Sequence, residues 1–471
     1  GAWYDGVPMF VLSGQIRRNL IADYSKIRQL GPQEGPTVAL ASHITKYAKT
    51  VMDPLEIRYE LEKAFFLSVN GRPGPVWIDI PLDVQAAEID ETELRGFDPI
   101  EFGPSWEQGR LEKQVALALE LLKTSKCPIL TGGTGLRSSG SVDLFIQVAE
   151  TLGLPVVLPY SAKDIIYEEH PLNFGIFGGA GQRRANFALQ NSDCLIGVAT
   201  GFSVNKVGFN VSGFAPKARK IIVDIDEGQL SDQSVKPDIG IQADAKAFLL
   251  ELLRQSTGQS LNASPRWLQT CRTWREKYPT LEPQHKTDEG FVNSYVFMDR
   301  LSNYLTKDHV LLTGNGLDAP SCFQAFRVKE GQRTFTNNNW GSMGWDLPLT
   351  NGACIANQKK PTVCVTGDGC IQMNIQELLF IQYHQLPIKL FVFNNNGYAA
   401  IRATQNAFFE GRFVGANPAS GVACADFEKL ARAYDLRYFK ISTNQDLDSK
   451  IPLALGTNGP VLCEVLISPA Q

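Results

Sequence analysis

Gly367-Asp368-Gly369 and, 24 residues further on, Asn394-Asn395 offer one carboxylate and one amide oxygen that could share a divalent cation. Mg²⁺ takes six oxygens in near-ideal octahedral geometry and draws only a few from protein, leaving the rest to water and substrate phosphates. Asp368, Asn395 and the Gly397 carbonyl would form that protein share, and the ion would clamp a diphosphate. Taken singly, each segment is an ordinary turn, because Gly, Asn and Asp dominate turns for backbone reasons. The flanks add to the signal. Residues 363–366 read as a buried strand ending at Gly367, residues 390–393 as a second strand ending at Asn394, and 376–383 between them carry helical spacing of apolar residues. This is a βαβ unit with both motifs at the carboxyl edge of parallel strands, where open α/β sheets place ligands.

Together the motifs and their spacing resemble the thiamine-diphosphate-dependent enzymes, and the resemblance runs from end to end. It is strongest toward the acetohydroxyacid synthase (acetolactate synthase) group, through Gly71-Arg72-Pro73-Gly74-Pro75-Val76-Trp77-Ile78-Asp79-Ile80-Pro81, Gly341-Ser342-Met343-Gly344 and Met373-Asn374-Ile375-Gln376-Glu377-Leu378. The resemblance implies thiamine diphosphate and Mg²⁺ as cofactors, the metal held by Asp368, Asn395 and Gly397. It also implies diphosphate contacts from Asn315, Gly316, Leu317, Asp318 and the amide of Cys370, where the strand 310–313 opens into a Gly-rich turn. Met343 would wedge beneath the cofactor and fold its two rings together, and Ser342, Gly367, Gly369 and Tyr398 complete the implied cofactor set. Gln15 and Lys46 are implied to face the substrate carboxylate or carbonyl from the partner subunit of a homodimer or homotetramer.

The glutamate that activates the cofactor in this family is expected upstream of Gly1, since the first residues run straight into a strand; Glu34, Glu56, Glu60 and Glu62 have structural settings. The middle of the chain resembles the domain that binds FAD in acetohydroxyacid synthases, with Gly132, Gly133 and Gly135, a loop containing Gly178, and Asp224 and Asp226 at matching places. Gly-rich strand ends also occur without any nucleotide, and Gly201-Phe202-Ser203 replaces the usual Arg-Phe-Asp, so a flavin site and a plain structural loop both stay open.

Two further departures concern substrates. Pro32 precedes Gln33-Glu34 where the group has Phe, and Thr404 stands where it has the tryptophan that shapes the acceptor pocket. A small hydroxyl there opens room for a larger or more polar acceptor, and the stretch 396–402 looks like homologues associated with branched-sugar and polysaccharide synthesis. The implied activity is decarboxylation of pyruvate, a 2-keto acid, with transfer of a two-carbon unit to a carbonyl acceptor. Acetyl transfer to a keto-sugar nucleotide, simple 2-keto acid decarboxylation and a non-catalytic cofactor-binding relative are the alternatives.

The elements that must position these residues follow from the pattern. A chain of 471 residues makes about three domains. The expected fold is α/β, with three doubly wound parallel sheets: a partial pyrimidine-binding domain at 1–90, a central domain at 107–255 and a diphosphate-binding domain at 293–471. Residues 86–108 and 256–292 read as linkers, the second with a short helix at 266–277. A net charge of −4 without a basic stripe argues against nucleic acid, and no apolar run is long enough for a membrane span. Nine scattered cysteines without a CxxC pair suggest neither disulfides nor zinc, and the expected compartment is cytoplasmic.

Overall fold

Apolar runs bounded by Gly, Pro or Asn become strands buried on both faces, as parallel sheets covered by helices require. The computed structural model describes residues 1–103, 106–259, 263–286, 290–337, 339–469 and 471. Its first sheet holds β1 (Phe10–Gln15), β2 (Tyr47–Thr50) and β3 (Val76–Pro81), in the order β1-β3-β2. The second comprises β4 (Pro128–Gly132), β5 (Val156–Pro159), β6 (Asn173–Phe177), β7 (Cys194–Val198), β8 (Arg219–Asp224) and β9 (Ile239–Gln242), ordered β6-β5-β4-β7-β8-β9. The third comprises β10 (Val310–Thr313), β11 (Thr334–Phe335), β12 (Thr362–Gly367), β13 (Ile388–Asn394), β14 (Arg437–Ile441) and β15 (Val461–Leu466), ordered β11-β10-β12-β13-β15-β14. Every strand pair is parallel, so the α/β class and the three-domain arrangement hold.

In the third sheet the two-residue period of a strand sorts side chains to opposite faces. Val363, Val365, Phe391 and Phe393 join one buried cluster, while Cys364, Leu390 and Val392 join another on the reverse side. Both tips of β12 and β13 therefore leave a rigid, doubly covered layer at the same level, Gly367 pairing with Phe393. The chain passes from β10 outward to β11 and returns to β12 on the other side of β10, which makes the β10/β12 boundary a topological switch point.

Five strands escaped the sequence reading. β11 is two residues long; β14 is an edge strand with exposed Arg437 and Lys440, one on each face; β2 is half polar; β6 and β9 each carry an interior Gly. The helix Pro265–Lys277 is more than part of a linker. It buries Trp267 and Cys271 in the core of the second sheet, and the Trp267 indole donates to the Pro128 carbonyl at 3.0 Å. Asp164, nearly inaccessible, receives Arg137 at 3.0 Å and Arg333 at 2.9 Å and locks the second layer onto the third. Among the described residues no helix is long and apolar enough to cross a membrane.

Candidate functional site

Four turns gather at the carboxyl edge of the third sheet. The turn after β12 begins the short helix Asp368–Gln372, so Asp368 stands at the strand tip, 3% exposed. Its Oδ2 accepts the backbone N–H of Asn395 at 3.1 Å and of Gly397 at 3.0 Å, which ties the turn after β13 to the turn after β12. Burial pushes the Asp368 carboxyl above its ordinary pKa, against the opposing pull of the Gly369 N–H and of the Cys424 thiol 3.6 Å away.

The two asparagines divide their work. Asn394 turns back into the sheet, its amide donating to Glu464 at 2.6 Å. Asn395 is buried, and its Oδ1 has no hydrogen-bond partner. A buried amide oxygen left unpaired costs about 1–3 kcal/mol, so the Asn395 Oδ1 is free to accept a donor or to ligate a cation. Gly397 has φ +129°, and a Cβ there would lie 2.4 Å from the Ala416 carbonyl. No side chain fits. One carboxylate, one amide oxygen and a glycine carbonyl on a fixed turn are a donor set that suits Mg²⁺ carrying a phosphate ligand.

The other two turns close around this point. A Cβ on Gly369 would lie 2.3 Å from the Tyr398 ring and 3.1 Å from the Met343 methyl, so both side chains stand over the Asp368–Gly369 tip. The Asn315 amide donates to the Gly341 carbonyl and the Asn374 amide to the Gly344 carbonyl at 2.7 Å, binding the 341–344 loop to its neighbours. The structure thus brings together Asn315, Gly316, Leu317, Asp318, Ser342, Met343, Gly367, Asp368, Gly369, Cys370, Asn395, Gly397 and Tyr398 on one sheet edge. One detail differs from a free phosphate cradle: the Gly316 N–H is already donated to Asp318 Oδ1 at 3.0 Å.

The first-sheet residues make other contacts. The Gln15 amide donates to the Gly35 carbonyl at 2.9 Å and to Asp79 at 3.3 Å. Lys46 donates to the carbonyls of Asn70 and of Arg72, the latter at 2.8 Å, and burial pulls its pKa down. Glu34 accepts the N–H groups of Ala22, Leu30 and Gly31, which shapes the turn containing Gln33 at φ +61°. Glu62 pairs with Arg58, and Glu60 accepts the Tyr47 hydroxyl.

Between the first and second layers lies a cavity of about 780 Å³ whose wall includes Arg72, Gly135, Asn205, Lys206, Asp224 and Asp244. Of the residues expected at a flavin site, Gly135 and Asp224 line it; Gly132, Gly133, Gly178 and Asp226 do not. Those glycines serve packing. A Cβ on Gly132 would strike Leu136, and one on Gly133 would lie 2.2 Å from the Ala199 carbonyl. Gly178 backs onto Lys206 with φ +110°. Asp226 instead pairs with Arg72 at 3.3 Å. Lys206, a residue the sequence reading passed over, borders the cavity with its ammonium donating to the Gly201 carbonyl at 3.0 Å, and burial lowers its pKa to about 8.

Three residues of the main site were also missed: Asp346, Arg402 and Cys424. Asp346 could have been noticed as an acid on the buried side of an apolar helix, Asp346–Ala356, beside Leu347. Arg402 and Cys424 carry no local signal, since only the fold brings them to the metal turn.

The sequence matches the thiamine pyrophosphate enzyme central domain over residues 115–252 and the C-terminal TPP binding domain of the same enzymes over 319–465. It is 31% identical to the acetolactate synthase large subunit of Cyanidium caldarium over 482 aligned residues, spanning 100% of this chain and 79% of that one. The probable acetolactate synthase large subunit of Methanocaldococcus jannaschii is 29% identical, with 100% and 78% covered. That of Lactococcus lactis subsp. lactis is also 29% identical, with 100% and 78% covered. Buried strand tips, a metal-suited turn pair and these relatives agree: the chain belongs to the acetolactate synthase large-subunit family of thiamine-pyrophosphate enzymes and is an enzyme of their carboligase type.

Proposed function

We propose that this enzyme binds thiamine diphosphate through Mg²⁺, decarboxylates pyruvate and transfers the remaining two-carbon unit to a carbonyl acceptor. The observation that carries the metal assignment is the unpaired, buried Asn395 Oδ1 beside the buried Asp368 carboxylate. When bound, the cofactor supplies the nucleophilic carbon and the electron sink. Asp368, Asn395 and the Gly397 carbonyl hold its metal, while the turn at Asn315–Asp318 and the Cys370 amide meet its diphosphate. Met343 and Tyr398 wall the space above Gly369 and keep water from the reacting carbon. Gln15 and Lys46 of a partner subunit orient the substrate carboxylate, which makes a homodimer the smallest active unit. The cavity with Arg72, Lys206 and Asp224 is large enough for FAD, its two cations suited to a pyrophosphate and its acid to ribose hydroxyls.

The acceptor reading follows from Thr404. Its hydroxyl bonds back to the Ala400 carbonyl at 3.0 Å on an exposed turn of the helix Ala399–Phe408, leaving open space where an indole would stand. This favours a keto-sugar nucleotide or another bulky polar ketone as a second acceptor class. Incubation with pyruvate, Mg²⁺ and thiamine diphosphate, with and without an added ketone, tests both readings. Acetolactate or a branched adduct is expected. Acetaldehyde alone, formed at a rate indifferent to acceptor, would replace the carboligase reading with a decarboxylase, and unconsumed pyruvate would remove both. Release of a flavin on denaturing the purified protein decides the cavity's occupant.

A further inference from the structure

Beside the turn after β12, the carboxyl groups of Asp318 and Asp346 converge on one point, with no cation acting there among the described residues. Asp318, at the start of the helix after β10, and Asp346, at the start of the helix after the 341–344 loop, are both 0% exposed. A methyl group placed on Gly314 would lie 3.0 Å from Asp318 Oδ2, 3.1 Å from Asp346 Oδ2 and 3.3 Å from the Thr366 hydroxyl, so three oxygens surround one point. Asp318 Oδ2 and both oxygens of Asp346 have no partner at full hydrogen-bond geometry, and the donors that act on Asp346 are the Thr366 hydroxyl and the N–H groups of its own helix start. Two desolvated carboxylates facing each other cannot both ionise near neutral pH.

We propose that Asp318 and Asp346 share one proton, and that this carboxylic acid–carboxylate bond is the tie that sets the diphosphate turn against the Met343 loop, making Asp346 a positioning residue. The geometry supplies the lever at both ends. Asp318 Oδ1 holds the Gly316 N–H, fixing the turn at 314–317, and Asp346 anchors the helix into which the 341–344 loop runs. The titratable groups around the pair are thiols, Cys322 on the helix of Asp318, Cys364 on β12 and Cys370 after it, each raised by burial and in every case also by Asp318. Lys163 spends its ammonium on the Phe323 carbonyl at 3.0 Å, and among the described residues no cation acts on either carboxyl. Burial first, then Asp346, raises Asp318 to about 7; burial also raises Asp346.

The sign follows from linkage. Between the ordinary carboxyl range and about pH 7 the folded protein keeps a proton that the unfolded chain has released, so stability from the pair is full in acid and lost as pH rises through about 7. Asp346→Asn donates an amide N–H to Asp318 and ends the need for the proton. Melting of the cofactor-free protein should therefore show the wild type losing stability between about pH 4 and pH 7 relative to Asp346→Asn and levelling off above; Asp318→Asn is the second variant should the first not fold. Parallel melting profiles for wild type and both variants would overturn the shared proton.

The second arm rests on the assignment of the 314–317 turn to diphosphate and uses Mg²⁺ with inorganic pyrophosphate, whose own ionisation is common to both proteins. Wild-type affinity should fall up to about tenfold more than that of Asp346→Asn between pH 7 and 8, the limit for one linked proton. Equal falls would overturn the positioning role. If neither protein binds magnesium pyrophosphate, the diphosphate assignment fails and the positioning role with it, while the melting profiles still decide the proton.

Discussion

At the scale of single residues, the site depends on groups whose hydrogen-bonding capacity the protein leaves unfilled. Asp368 uses one oxygen to hold the next turn, and Asn395 keeps its Oδ1 free. Replacing Asp368 by Ala removes both the metal ligand and the acceptor for two backbone N–H groups. Mg²⁺-dependent binding of thiamine diphosphate, followed by titration calorimetry, should fall by at least a hundredfold while the far-ultraviolet circular dichroism stays unchanged. Retained affinity would count against the ligand assignment. Gly397 makes a different demand. Alanine there meets the Ala416 carbonyl at 2.4 Å in a backbone region hostile to side chains, at a cost of about 1–3 kcal/mol. Gly397→Ala should therefore lower both thermal stability and metal affinity, and Asp368→Ala, which orphans two backbone N–H groups, should also lower the melting temperature while it abolishes metal binding.

At the scale of elements, the helix Ala399–Phe408 acts on the metal turn through Arg402. This side chain is 7% exposed and donates to four carbonyls: Asn395 at 3.2 Å, Asn396 at 3.4 Å, Ala416 at 3.3 Å and Pro469 at 3.2 Å. A planar guanidinium can serve several acceptors at once, which a lysine ammonium cannot. Each bond from a charged donor contributes about 1.5–3 kcal/mol. Arg402→Lys loses at least one of them, and the Mg²⁺ concentration for half-saturation should rise about tenfold, read by cofactor-dependent fluorescence change. An unchanged half-saturation would show that the turn holds its shape without the helix. Element length explains what the sequence hid here. The turn motifs stand at the ends of β12 and β13, strands of six and seven residues with buried apolar runs, and were legible; β11 and β14 are short or half wet and were not.

For the whole molecule, the second and third parallel layers are tied together by the buried Asp164 carboxylate, which takes Arg137 from its own layer and the more exposed Arg333 from the next. Gln15 and Lys46 stand on the first layer with their polar atoms turned to its own backbone, while the metal turn stands on the third. The proposed pairing of one subunit's first layer with the other's third makes a direct prediction. Mixed and reannealed Gln15→Ala and Asp368→Ala proteins should recover up to about a quarter of wild-type turnover, because half of the random dimers carry one intact site each. No recovery, with heterodimers demonstrated by native mass spectrometry, would place all functional groups of a site in one chain.

The sequence by itself determined the α/β class, the carboxyl-edge placement of the Asp368 and Asn395 turns, and the family, because each is written in short-range pattern: strand period, turn chemistry and motif spacing. Only the tertiary structure separated Asn394 from Asn395 in role, brought Arg402 behind the metal turn and set Asp318 against Asp346. Those outcomes depend on burial and on which oxygen finds a partner across the sheet. Both are properties of neighbours far apart along the chain, to which local pattern is blind.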